Sequence, residues 1–294
     1  MKTANYENQI LSGESQVEKE RNPQVPIIDI VRHGRTDYKE LKDPNFNFDS
    51  KAEDFTLDTE HLDLNEDGIA DAEGAARQLL ATIDKDNEVV ILVTSPNFRA
   101  HSTALVIEDV LVSNGVTLLN SGRTMETSQL RQINIANKED LPEWIAADKK
   151  YREEDPMRFK GSPDKMHKAI AASLGKELKE VFTEDYGEIN TRFEDYLRHM
   201  TNIYDYLNEK TKQQLAGKII RIVTLTHEEL PAKFMQATLG TEENLKNGQI
   251  LELRPQDKIR KDTESEAEVV LYPKPEGESE SSEVTVSRKF TLAS

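Results

Sequence analysis

Three short runs rich in β-branched residues constrain this chain most, and each stops abruptly in polar side chains. Residues 25–31 read V-P-I-I-D-I-V, 89–94 read V-V-I-L-V-T, and 218–226 read K-I-I-R-I-V-T-L-T. Runs this short and this continuously apolar are strands covered on both faces, as in a parallel sheet. A fourth run, 116–120, is expected to add another strand. Between them the apolar period changes to three and four. Ile69, Ala72, Ala76, Leu79, Leu80 and Ile83 make one helical stripe. Ser95 and Pro96 read as the cap and first residue of a helix carrying Ala100, Ala104, Ile107, Val110 and Leu111. Pro163 opens a helix behind Ser162. Phe193, Leu197, Met200, Ile203, Tyr204 and Leu207 line a long one, and Pro231 stands in the first turn of one that Gly240 ends. Strands alternating with helices predict a three-layer α/β/α fold around a mostly parallel central sheet.

The ends of the chain read differently. Residues 1–24 are polar and expected to be a flexible lead-in, and the α/β domain is expected over 25–254. Strand-like runs at 250–254, 266–272 and 283–292 are separated by polar connections. They predict an antiparallel C-terminal extension, with 255–294 as a β-hairpin unit packed on the sheet edge. The acidic, low-complexity stretch 276–283 reads as a solvated hairpin loop.

Charge narrows the classes of partner. The chain has 38 Lys and Arg against 55 Asp and Glu, a net charge of −17. Such a surface is repelled by nucleic acid phosphates and by anionic membranes, so neither is an expected partner. There is no cysteine, hence no disulfide framework, thiolate metal site or cysteine nucleophile. With no signal-peptide core and no long apolar span, the expectation is a soluble, cytoplasmic protein. Residues 40–73 hold 12 acidic residues and 2 lysines, so −10 of the −17 falls in one stretch. An acidic insertion is expected there, at about 40–66, as a solvated loop or a lid that repels highly anionic substrates.

In a parallel sheet, ligands sit beyond the carboxyl ends of the strands. The first run delivers Arg32, His33 and Arg35 there, the second Ser95 and Arg99, and the third His227, Glu228 and Glu229. Two histidines and three arginines on one edge repel one another unless an anion joins them. Phosphate fits: arginine forks match its oxygens, Gly34 permits close backbone approach, and an imidazole can attack phosphorus and hold it covalently.

Four motifs in this order resemble the histidine phosphatase superfamily, the phosphoglycerate-mutase-like group. They are Arg32-His33-Gly34-Arg35-Thr36, Leu64-Asn65-Glu66-Asp67-Gly68-Ile69, Ser95-Pro96-Asn97-Phe98-Arg99-Ala100 and Thr226-His227-Glu228. The resemblance spans roughly residues 27–254. It implies that His33 is the nucleophile forming a phosphohistidine, and that Arg32, Arg99 and His227 bind the phosphoryl oxygens. It also implies that Thr36 orients the loop and that Arg35, in a variable slot, adds a phosphate contact. Members commonly carry a glutamate acid in a stretch resembling L-R-E, where this chain has Leu130-Arg131-Gln132. An amide cannot give up a proton. The acid phosphatase branch uses an acidic residue beside its second histidine, so Glu228 is the expected general acid and later the activator of water, with Glu126 and Glu229 as substitutes. The asparagine often found three residues after the motif threonine is replaced by Lys39.

The expected function is phosphomonoester hydrolysis on a small phosphorylated substrate or a phosphoprotein, without cofactor or metal. A mutase is the nearest alternative. A non-catalytic phospho-ligand-binding descendant is the other, because of Gln132. Asp63, Asn65, Asp67 and Gly68 imitate the start of a calcium loop, but Gly74 stands where its bidentate glutamate belongs. His61, His101, His167 and His199 read as surface residues and Trp144 as packing. The sequence leaves the oligomeric state open.

Overall fold

A computed structural model describes residues 21–36, 63–120, 123–136, 143–144, 146–147, 150, 163–241, 243–261, 263–274 and 284–291. Residues 1–20, the bulk of the acidic stretch (37–62) and the 275–283 connection lie outside the described residues. The strands are β1 (Ile27–Arg32), β2 (Glu88–Thr94), β3 (Met125–Glu126), β4 (Ile219–Thr226), β5 (Ile250–Pro255), β6 (Glu264–Leu271) and β7 (Val284–Thr291). The described helices are α1 (Glu66–Thr82), α2 (Phe98–Ser113), α3 (Pro163–Ser173), α4 (Leu178–Val181), α5 (Tyr186–Thr201), α6 (Ile203–Tyr206), α7 (Glu209–Leu215) and α8 (Glu229–Leu239).

The strands form one sheet in the order β3-β2-β4-β1-β5-β6-β7. β1, β2, β3 and β4 run parallel, and β5, β6 and β7 follow antiparallel beyond β1. The α/β reading with an antiparallel C-terminal extension therefore holds. Alternation along each strand feeds two cores. Ile28, Ile30, Ile91, Ile220 and Ile222 face one way, against Ile170, Phe193, Leu197 and Phe234 from α3, α5 and α8. Val31, Val90, Leu92, Val223 and Leu225 face the other, against Ala76 and Leu79 of α1 and Ala104 and Ile107 of α2. These are the two helical layers on a sheet covered on both sides. Trp144 is buried in the first core, as a packing residue. No helix among the described residues is long and apolar enough to cross a membrane.

Three local expectations are corrected. The run 116–120 makes only an isolated bridge, Val90 to Leu118. The fourth parallel strand is instead Met125–Glu126, two exposed residues whose sequence carries no apolar run. Helix α2 is capped by Asn97 rather than Ser95, because the Ser95 hydroxyl is committed elsewhere. The long helix through Leu207 breaks at Asn202, whose side-chain amide donates to the carbonyls of Arg198 and Ile259.

The end of the sheet where the parallel strands begin holds a buried ionic cluster. Arg221 of β4 is 1% exposed. Its Nη1 donates to both oxygens of Asp29 at 3.0 Å and to Glu252 at 2.7 Å, and its Nε donates to Glu88 at 2.7 Å. Arg254 pairs with Glu252 from outside. Three carboxylates gathered on one guanidinium also repel one another. Burial pushes the Asp29 carboxyl up to about 7, although the Arg221 charge works against that rise.

Candidate active site

At the opposite end, β1, β4 and β2 lie side by side and finish level. The ladder continues past them: the His33 amide donates to the Thr226 carbonyl and the Ser95 amide to the Leu225 carbonyl, each at 3.0 Å. His33, Ser95 and His227 therefore leave adjacent strands at one edge, and α2 brings Arg99 over them.

His33 is 8% exposed. Its Nδ1 lies 2.7 Å from the Gly34 carbonyl, which can only accept, so Nδ1 carries the hydrogen. The Nε2 lone pair is thereby turned toward Arg99, whose Nε donates to it at 3.1 Å. The Arg99 guanidinium also reaches His227 Nδ1 at 3.4 Å. A donor at Nδ1 makes that nitrogen the acceptor, so His227 holds its hydrogen on Nε2 and donates to Ser95 Oγ at 2.9 Å. Ser95 passes its own hydrogen to Asn97 Oδ1 at 2.7 Å. The two imidazoles stand 5.1 Å apart, edge to face, as opposite tautomers.

Burial, reinforced by the charges of Arg99 and Arg32, holds the His33 imidazole well below its ordinary pKa. The same applies to His227, where burial comes first and Arg99, His33 and Arg32 add to it. Both rings are neutral at pH 7, the state a nucleophile requires. Two buried donors in this cluster, Arg32 Nε and Asn97 Nδ2, have no hydrogen-bond partner among the described residues. Unmet donors beside a neutral imidazole suit an oxyanion.

The turn that carries His33 is gripped from below by residues that the sequence reading did not single out. Arg32 Nη1 donates to the Leu245 carbonyl at 2.8 Å, and Asn247 Nδ2 donates to the His33 carbonyl at 2.9 Å. The Gly248 amide donates to the Arg32 carbonyl at 3.0 Å. Gly248 has φ +70°, and a Cβ there would meet the Asp71 carbonyl at 2.6 Å. No motif marks this loop; a left-handed glycine before β5 was its one signal. Above, a Cβ on Gly34 would stand 2.1 Å from the Gly68 carbonyl, and one on Gly68 would stand 1.9 Å from that of Arg35. Thr36 bridges Leu64 in antiparallel fashion. Asn65 caps α1, its Oδ1 accepting from the Gly68 amide at 2.8 Å, which accounts for the calcium-loop imitation.

No protein-family model matches the chain, and no curated protein matches its sequence. Solved structures do. The phosphoglycerate mutase of Bacillus anthracis str. Sterne is 17% identical, covering 80% of this chain and 90% of its own, with a TM-score of 0.49. The mycobacterial glucosyl-3-phosphoglycerate phosphatase is 12% identical over 78% of this chain and 93% of its own, with a TM-score of 0.42. The alpha-ribazole phosphatase of Shigella flexneri is 14% identical over 77% and 89%, with a TM-score of 0.40.

Of the residues expected to form a histidine phosphatase site, the fold brings together His33, His227, Arg99, Arg32 and Glu228. Glu228 Oε2 pairs with Arg32 Nη1 at 2.8 Å, half-exposed on the rim. Arg35 turns away: its backbone amide, Nε and Nη2 all bind Asp71, at 3.1, 2.8 and 3.1 Å, and Asp67 takes Nη1 at 3.3 Å. Arg35 thus ties the loop to α1 rather than facing His33. Glu126 pairs with His101 at 3.0 Å on the surface. Glu229 is buried, its Oε1 accepting from the Ile133 amide at 3.3 Å, and burial raises its pKa. Gln132, in the slot where a glutamate acid was sought, lies in the cluster with its Oε1 on Arg99 Nη2. Its turn is held by Arg192, whose Nη1 donates to the carbonyls of Ser128, Gln129 and Arg131 at 3.1, 2.7 and 3.0 Å.

Proposed function

We propose that this chain is a phosphomonoester hydrolase that works through a phosphohistidine on His33. The observation that carries this reading is the fixed, neutral imidazole whose Nε2 lone pair meets Arg99 Nε at 3.1 Å. In the first step the Nε2–phosphorus bond forms, and the bond from phosphorus to the leaving oxygen breaks, its electron pair departing with that oxygen. Arg99 and Arg32 offset the charge that develops on the phosphoryl oxygens. His227, its Nδ1 lone pair on the Arg99 guanidinium and its Nε2 hydrogen on Ser95, orients that guanidinium toward the same group. In the second step water attacks phosphorus, and the pair of the breaking bond returns to Nε2. Glu228 is the carboxylate assigned to proton handling. Its ion pair with Arg32 favours a part as base for the attacking water over a part as acid.

The substrate is a small phosphorylated molecule or a phosphoprotein, and no step in this scheme calls for a metal or cofactor. A mutase uses the same first step and differs in returning the phosphoryl group to an organic acceptor. Gln132 is the observation that favours a second reading, a phospho-ligand-binding protein without turnover. Incubation with p-nitrophenyl phosphate followed by alkaline quench should leave an acid-labile phosphoryl label on wild type and none on His33→Ala. Label on His33→Ala would remove the nucleophile assignment. Tight phosphate binding with neither label nor phosphate release would favour the binding protein.

A further inference from the structure

Expelling an alkoxide from phosphorus requires a proton for the departing oxygen, so the hydrogens around His33 decide which leaving groups the site can release. The guanidiniums of Arg99 and Arg32 stay charged and give up no proton. His227 is neutral, its hydrogen lies on Ser95, and a lone pair faces Arg99. The Ser95 hydrogen is spent on Asn97. Gln132, on Arg99, is an amide. Glu228 is ion-paired to Arg32. Glu229 is buried and bound to the Ile133 main chain. Among the described residues at this site, nucleophile and anion-binding groups stand together, and the groups around His33 Nε2 are a guanidinium, an amide and an imidazole whose hydrogen is bonded away.

Resting on the phosphohistidine reading above, we infer that this site turns over phosphoryl groups whose leaving group departs as a stable anion, namely acyl and aryl phosphates, in preference to esters of alkyl alcohols. The carboxylate or phenolate takes the electron pair of the broken bond and needs no proton from the protein. Water later supplies the oxygen for the released phosphate, and its proton passes to the Glu228 carboxylate and on to solvent. Gln132 sets this preference, because it stands on the guanidinium that bonds the nucleophile and can hydrogen-bond a departing group without protonating it.

The test is phosphate release by the purified full chain from acetyl phosphate, p-nitrophenyl phosphate, phenyl phosphate and glycerol 3-phosphate. Turnover should fall steeply along this series, with glycerol 3-phosphate slower than p-nitrophenyl phosphate by about 10²-fold or more, the ordinary worth of a general acid. Glu228→Gln should lower the glycerol 3-phosphate and p-nitrophenyl phosphate rates by the same factor, because Glu228 gives the leaving group no proton. Wild-type rates within tenfold of each other would overturn the inference and leave the phosphatase reading standing. So would a Glu228→Gln or Glu229→Gln protein whose fall along the series is steeper than that of wild type, since that carboxyl would then be the acid. No release from acetyl or p-nitrophenyl phosphate, with no label on His33, would overturn both.

Discussion

The Nδ1 hydrogen of His33 is spent on the carbonyl of its own neighbour, Gly34, 2.7 Å away. One short local bond thus chooses the tautomer and turns the Nε2 lone pair to Arg99. It also requires the backbone to pass close under the ring, where Gly34 packs against Gly68 with no room for a Cβ. The loop that carries His33 therefore aims its ring as well.

The two histidines should be spectroscopically opposite. Long-range 1H–15N spectra of the imidazoles at pH 6.5 should show His33 as the neutral Nδ1–H form and His227 as the neutral Nε2–H form. Both lie well below the ordinary histidine pKa of 6.5 because they are buried beside Arg99. A protonated ring at either position at that pH would contradict the electrostatic account of the site.

Arg99 spans both imidazoles and Gln132 with one planar fork. Lysine offers a single point charge and cannot hold that geometry. Arg99→Lys should lower kcat on p-nitrophenyl phosphate by about 10²- to 10³-fold, the range for losing one oxyanion donor. Loss of less than tenfold would place the phosphoryl group elsewhere.

Ser95 Oγ accepts from His227 Nε2 at 2.9 Å, so on the proposed reading it positions that ring. Ser95→Ala should cost about tenfold in kcat, near the worth of one buried hydrogen bond, with KM little changed. Ser95→Thr, which keeps the hydroxyl, should recover activity, and the His227 spectrum should lose its single tautomer only in the alanine protein. Equal losses in both variants would point to packing instead.

The ionic cluster under the sheet gives stability a pH dependence. The Asp29 carboxyl has a folded pKa of about 7, above the ordinary 3.8. Between those values the native state holds a proton that the unfolded chain has released, so this group's contribution falls as pH rises from about 4 to about 7. In urea unfolding, the stability of wild type relative to Asp29→Asn should decline across that window. Arg221→Met should cost about 3–5 kcal/mol at pH 8, because it strands buried carboxylates. An Arg221→Met protein as stable as wild type at pH 8 would mean that the carboxylates neutralise themselves.

The sequence made legible whatever was written in one segment. β1, β2 and β4 were visible because each is an apolar run, and the site because each run ends in a motif. What pairs distant segments was not legible. Arg221 looked like one polar residue in a strand, since Asp29, Glu88 and Glu252 come to it from three other strands. Arg35 counted as a phosphate contact from its place in the motif, while Asp71, in the second turn of α1, claims it. β3 was missed because two exposed residues on an edge carry no hydrophobic signal, and Asn247 because its part is to hold a main-chain carbonyl.

The contact between Gly34 and Gly68 reaches beyond the nucleophile. With the Thr36 to Leu64 bridge and the Asn65 amide on the Arg35 carbonyl at 3.2 Å, it holds Arg35 and Thr36 side by side with Leu64 and Asn65. Lengthening a closed loop is cheap, about 0.6 kcal/mol per doubling. The joint between Thr36 and Leu64 is therefore a place where chain can be inserted without moving His33.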